Sequence, residues 1–88
     1  MIAGIVSSSG QIMAGIGFAL NRTGPGVYAI RFIEPCTDTP VVFVTPGEPG
    51  RTVAAVATPS GAEVTLTDLT GTPTDGGFSF AAMTPFSP

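Results

Sequence analysis

Glycine and proline interrupt this chain every few residues. The 88 residues include twelve Gly and nine Pro, and no stretch of eleven residues that is free of both shows apolar residues at helical spacing. Short runs of Val, Ile, Thr, Phe and Tyr lie between the interruptions, and such runs favour β-strands. The pattern therefore argues against long helices and predicts an all-β fold.

We predict seven or eight short strands with turns at regular spacing, which is typical of a small antiparallel sandwich or barrel. The clearest strand covers residues 27–33, where Tyr28, Ile30 and Phe32 face away from Arg31. We expect a single domain over residues 1–83 and a tail over residues 84–88. The predicted strands are an N-terminal hairpin within 1–14, and a main sheet within 16–83 formed by 16–23, 27–33, 41–45, 52–58, 63–69 and 78–82.

Charged side chains are scarce. The chain has three Arg, six Asp or Glu, no Lys and no His, for a net charge of −3, whereas a typical soluble domain of this length has roughly 22 charged residues. Three scattered Arg do not form the basic stripe of a nucleic-acid-binding protein. The longest nearly apolar run, residues 12–20, is too short for a membrane-spanning helix, which needs about 20 residues. We therefore expect neither a nucleic-acid partner nor membrane insertion.

Few residues have the chemistry of a catalytic or metal site. Cys36 is the only cysteine and has no histidine to activate it as a nucleophile. The loop acids form two possible pairs, Glu34 with Asp38 and Asp68 with Asp75, but solvated loop charges or a turn cap at Asp75 explain them better than glycoside hydrolysis does. Residues 68–79 do not fit a helix–loop–helix calcium site. We expect no enzymatic activity, no catalytic residues, no metal and no cofactor.

Self-association is the remaining way to stabilise so small a domain. A chain of this length buries only about 60–65% of its unfolded surface, and a single cysteine excludes an internal disulfide. We expect Phe18, Phe32, Phe43, Phe78 and Phe80 in the core. The candidate residues of a subunit interface are Ile12, Met13, Ile16, Phe86 and Arg31. For Arg31 three readings stay open: an exposed side chain, a pair with Glu63 or Asp68, or a pair across chains.

Two segments carry a resemblance to a known module. Gly-Val-Tyr-Ala-Ile-Arg-Phe at 26–32 and Gly-Thr-Pro-Thr-Asp-Gly-Gly-Phe-Ser-Phe-Ala-Ala at 71–82 resemble a small β module near the C-terminus of bacterial collagen-like surface proteins and phage tail-fibre proteins. The similarity covers roughly residues 24–83. It implies a trimeric or otherwise oligomeric all-β terminal domain that registers chains or presents a binding surface, located outside the cell, at its surface or on a virion. Related modules often carry a cysteine near the position of Cys36 and another at the chain end, and this chain lacks the second.

Two functions follow as expectations. The first is a non-enzymatic structural module, a homotrimer that terminates or registers a fibrous surface or virion protein. The alternative is a carbohydrate- or receptor-binding module, in which Tyr28, Asn21 and Arg22 contact a cell-surface glycan. Tyr28 is the candidate for stacking on a sugar because it is the one aromatic residue with a polar group.

Overall fold

The residues that the structure describes form eight antiparallel strands arranged in two four-stranded sheets. The computed structural model describes residues 2–34 and 38–83. Within these ranges there is no helix that is long and apolar enough to cross a membrane. The strands are β1 (Ile2–Val6), β2 (Ile12–Ala14), β3 (Phe18–Gly24), β4 (Val27–Phe32), β5 (Val41–Pro46), β6 (Thr52–Thr58), β7 (Gly61–Thr67) and β8 (Phe78–Met83). The prediction of an all-β antiparallel fold with short strands is confirmed.

The strands divide between the sheets differently from the predicted hairpin and main sheet. Sheet A has the order β2-β1-β8-β5, and sheet B has the order β3-β4-β7-β6. The N-terminal hairpin therefore joins the C-terminal strand β8 in sheet A and does not stand beside one sheet formed by residues 16–83. Because β8 pairs with β1 on one side and β5 on the other, contacts distant in sequence determine this sheet.

Strands β3 and β4 form a hairpin whose turn lies between the strands predicted at 16–23 and 27–33. Phe18 pairs with Phe32 at its open end, and Gly26 takes a positive φ of 71° in the turn. Strand β7 ends at Thr67, two residues earlier than predicted. The Asp68 carboxylate accepts hydrogen bonds from the N–H groups of Thr70 and Thr72, so the chain turns there.

The core lies between the two sheets and is built from their aromatic side chains. Phe18 packs edge-on against Phe80 with ring centroids 4.8 Å apart, and Tyr28 packs against Phe78 at 5.3 Å. The buried cluster consists of Val6, Phe18, Tyr28, Ile30, Phe32, Val64, Leu66, Phe78, Phe80 and Ala82. Full burial of one large apolar side chain contributes about 1.5–3 kcal/mol, so these residues hold the sheets together.

Four of the five phenylalanines expected in the core are buried, and Phe43 is not. Its side chain is 58% exposed. Strand β5 is apolar on both faces, and its inward side chains are Val42 and Val44, which pack against the core. Because successive side chains of a strand point to opposite faces, Phe43 lies on the outside of sheet A.

Candidate functional site

Sheet A has an outer face without charge. None of its four strands contains a charged residue. The side chains that alternate with the buried ones on β1, β5 and β8 form the surface that we call the outer face of sheet A. They are Ala3, Ile5, Val41, Phe43, Thr45, Ser79, Ala81 and Met83.

The small side chains of Ser79 and Ala81 lie on β8, the middle strand of this face, and the larger Ile5 and Phe43 lie on the strands to either side. Phe43 pairs with Ala81 across β5 and β8, and Val41 pairs with Met83. On the other side of β8, Ile5 pairs with Ser79. Ile5 is 50% exposed, and Val41 and Met83 are each 40% exposed. A shallow hollow of about 220 Å³ beside Phe43 gives this face relief into which another apolar surface can pack.

Sheet B has a different outer surface, because it carries two charged residues, Arg31 on β4 and Glu63 on β7. A third charged residue, Arg22 on β3, pairs with Tyr28 across the strands and therefore lies on the same face of the sheet as Tyr28. Arg31 and Glu63 line a shallow hollow of about 410 Å³ near the β6–β7 turn. Arg31 is exposed and forms no ion pair with a described residue. The predicted pairs with Glu63 and Asp68 are therefore not formed.

A polar cluster joins three turns at one end of the molecule. Arg22 donates to Asp75 through Nε and Nη2, at 3.0 and 2.7 Å. The N–H of Gly26 donates to the same carboxylate at 2.7 Å. The Tyr28 hydroxyl donates to the carbonyl of Ser8 at 2.7 Å and accepts from the N–H of Gly76 at 3.3 Å. The cluster thus connects the β1–β2 turn, the β3–β4 turn and the segment leading to β8.

The ionisation of this cluster follows from its contacts. The guanidinium of Arg22, followed by the N–H of Gly26, holds the pKa of Asp75 below its ordinary value. Burial raises the pKa of the Tyr28 phenol. Both shifts favour the states that the hydrogen bonds require, an ionised carboxylate and a neutral phenol. The Asp75 carboxylate and the Tyr28 hydroxyl therefore both form hydrogen bonds that connect the turns.

The predicted glycan contacts do not form one surface. Tyr28 is fully buried, with 0% of it exposed, so its prediction as a ligand contact is wrong. The polar phenol that made it a candidate for the surface instead bonds to the backbone inside. Arg22 is engaged by Asp75. Asn21 is exposed and lines a separate hollow of about 280 Å³ together with Ala29 and Arg31.

The predicted interface residues are exposed but lie in different places. Ile12 and Met13 are on the edge strand β2 and are 42% and 67% exposed. Ile16 follows β2 and is 89% exposed. Arg31 lies on the other sheet, so it does not share a surface with β2. The prediction for Phe86 lies outside the described residues.

Sequence reasoning missed the outer face of sheet A. Phe43 was assigned to the core, and Ile5, Val41 and Met83 were not singled out. A signal was present in β5, where apolar residues occupy both faces of the strand from Val41 to Val44. A strand of that kind is either buried on both sides or covered by a partner. The structure places β5 at the edge of sheet A, and the sequence alone does not indicate that position. The sequence therefore cannot tell a strand buried on both sides from one covered by a partner.

The loop acid Asp68 is engaged by its own turn. Asp68 accepts hydrogen bonds from the Thr70 hydroxyl and from two N–H groups, and these lower the pKa of its carboxyl. Among residues 2–34 and 38–83, no three Cys, Asp or Glu side chains are grouped so that they could hold an ion. Cys36 lies outside the described residues.

No protein-family model, no curated protein and no solved structure matches this chain. The resemblance to modules of collagen-like and tail-fibre proteins therefore depends on the two short segments alone.

Proposed function

We propose that this chain is a non-enzymatic oligomerisation module whose copies associate through the outer face of sheet A. In this proposal three copies assemble to terminate or register a fibrous surface or virion protein. The observation that carries the association is the uncharged outer face, with Phe43 58% exposed beside Ile5, Val41 and Met83. Large apolar patches that remain exposed on small domains commonly mark protein–protein contacts.

The distribution of charge supports contact between identical copies. The chain has a net charge of −3, and this charge is carried entirely outside the strands of sheet A. When two outer faces meet, no like charges are brought together, so electrostatic repulsion stays weak. A partner that recognised this face by charge would find no complementary group on it.

The expected strength of association is moderate. About half of each of the four large side chains on this face is exposed, so covering them contributes roughly 1 kcal/mol per side chain. Twelve such side chains in a trimer contribute on the order of 12 kcal/mol, against a cost of about 4–15 kcal/mol for each of the two association steps. We therefore expect an equilibrium that depends on protein concentration.

A charge placed in the middle of the face tests the proposal. Phe43→Asp puts a carboxylate opposite the same carboxylate of another copy, and Leu69→Asp makes the same change in charge at a loop residue that is 80% exposed. At the same protein concentration, light scattering should give a smaller mass for Phe43→Asp than for the natural chain and Leu69→Asp. Equal masses for the two variants would contradict the proposal, provided both retain the β-sheet circular dichroism spectrum.

The fibre-registering role needs a separate experiment. The module is fused to the C-terminus of a collagen-like Gly-Pro-Pro repeat peptide, and refolding of the triple helix after heating is followed by circular dichroism. If the module brings three chains together, refolding should be faster with the natural module than with Phe43→Asp. The same refolding rate for both fusions would contradict the registering role. It would not contradict self-association, which light scattering tests separately.

A further inference from the structure

Each sheet ends in two edge strands, and the four edges differ in how they are protected. Sheet A ends in β2 and β5, and sheet B ends in β3 and β6. An edge strand presents unpaired backbone N–H and C=O groups that can pair with another chain. Proteins prevent such pairing with short strands, prolines, charges or bulges.

Three of the edges carry such protection. Strand β2 is only three residues long. Strand β5 follows Pro40 and ends at Pro46, and proline lacks the N–H that a ladder needs. Strand β3 contains the charged Arg22, and its register shifts between Arg22 and Gly24. Each of these three edges therefore offers a second chain few regularly spaced N–H and C=O groups for hydrogen bonding.

Strand β6 has none of these protections. It runs for seven residues, Thr-Val-Ala-Ala-Val-Ala-Thr, without a charge or a proline. It pairs with β7 from Thr52 to Thr58 with no shift in register, so its other edge is regular over the same length. Strand β5 of sheet A approaches β6 but forms no ladder with it, so the backbone groups of that edge have no strand partner. Val56 is 67% exposed on this strand. Such an edge is a template for strand addition.

We propose that β6 pairs antiparallel with β6 of a second copy about a two-fold axis at Ala55, which joins two copies of sheet B into one eight-stranded sheet. In this register all seven residues of each strand are paired, and any other antiparallel register leaves some unpaired. Thr52 then lies opposite Thr58 of the second copy, Val53 opposite Ala57, and Ala54 opposite Val56.

The composition of β6 explains why the occupant is a second copy. Threonine stands at both ends, and only Val and Ala stand between, so Thr meets Thr at the ends and each valine meets an alanine that leaves room for it. Thr–Thr and aliphatic cross-strand pairs stabilise antiparallel ladders. The absence of charge means that self-pairing opposes no like charges. A strand from a different protein would gain the backbone hydrogen bonds but would not gain this match along its whole length.

The pairing is independent of the proposed function. It uses the backbone of sheet B, whereas the oligomer proposed above uses the outer face of sheet A. A molecule with both contacts has two self-complementary surfaces, so oligomers formed through the face are joined to one another through β6.

Site-specific disulfide formation tests the pairing. The background carries Cys36→Ser, which removes the natural thiol, and Phe43→Asp, which removes association through the face. In the proposed register the two copies of residue 55 are directly opposite each other, within the Cα separation of about 4.4–6.8 Å that a disulfide needs. Ala55→Cys should therefore give a covalent dimer on mild oxidation, and reductant should reverse it.

Thr52→Cys is the matched control on the same strand. Residue 52 and its copy are six positions apart along the paired strands, about 20 Å, so Thr52→Cys should form no covalent dimer under the same oxidation. Adding Val56→Lys, which places like charges on the paired edges, should abolish the Ala55→Cys dimer. Absence of the dimer for Ala55→Cys, or equal cross-linking at residues 52 and 55, would overturn the pairing. Because these proteins already carry Phe43→Asp, either result leaves the test of the outer face unaffected.

Discussion

Arg22 and Asp75 lie 53 residues apart in the chain and form a two-pronged ion pair, with Nε to Oδ1 at 3.0 Å and Nη2 to Oδ2 at 2.7 Å. Arg22 belongs to β3 of sheet B, and Asp75 lies in the segment that leads to β8 of sheet A. The same carboxylate accepts the N–H of Gly26. This single side chain therefore links the two sheets at one end of the molecule.

Removing the charge of Asp75 should make stability less dependent on pH. The folded protein lowers the pKa of Asp75 below its ordinary value of 3.8, mainly through Arg22 and then Gly26. A carboxyl with a lowered pKa stabilises the fold fully above that ordinary value and loses this contribution as pH falls through the folded pKa. Thermal melting should show Asp75→Asn less stable than the natural chain at neutral pH, with the difference closing in acid. A difference that stays constant into acid would contradict this role of the ion pair.

The hydroxyl of Tyr28 should contribute to stability although it is fully buried. It donates to the Ser8 carbonyl and accepts from the Gly76 N–H, so Tyr28→Phe leaves two backbone groups without this partner. We expect a loss of about 1–3 kcal/mol in the free energy of unfolding, measured by urea titration. An unchanged free energy would show that water replaces the hydroxyl at both groups.

Gly26 should tolerate no side chain, because two separate restraints act on it. Its φ is 71°, and an added Cβ would lie 2.5 Å from the Leu66 carbonyl oxygen and 2.6 Å from the Thr74 nitrogen. Gly50 is the matched control, since its φ is 77° and nothing lies within 4 Å of an added Cβ. Gly50→Ala should cost about 1–2 kcal/mol from backbone strain alone. Gly26→Ala should cost clearly more in the same urea titration, and equal losses would contradict the close approach.

The predicted interface around Ile16 can be separated from the outer face of sheet A. Ile16 is 89% exposed, but it follows β2 and does not belong to the surface centred on Phe43. Ile16→Asp should therefore leave the mass measured by light scattering close to that of the natural chain. Dissociation by Ile16→Asp, with none by Phe43→Asp, would move the interface to the residues around β2.

The sequence predicted the strands well because their signals are local. Gly and Pro mark the turns, and alternation within residues 27–33 correctly placed Tyr28, Ile30 and Phe32 on one face and Arg31 on the other. Alternation failed at Phe43 because β5 has no polar face to orient it. The division into two sheets and the Arg22–Asp75 pair depend on contacts between distant parts of the chain. No local pattern in the sequence indicates such contacts. Tyr28 was misplaced because a phenol is compatible with both a surface and a hydrogen-bonded core.

The strands of sheet A contain no charged residue. The proposed function, association of copies through the outer face of this sheet, depends on that absence of charge. Sedimentation velocity of the natural chain over a wide range of concentrations tests it most directly. We expect a mass above the 8.8 kDa of one chain that falls towards 8.8 kDa on dilution. A mass of 8.8 kDa at every concentration would contradict it.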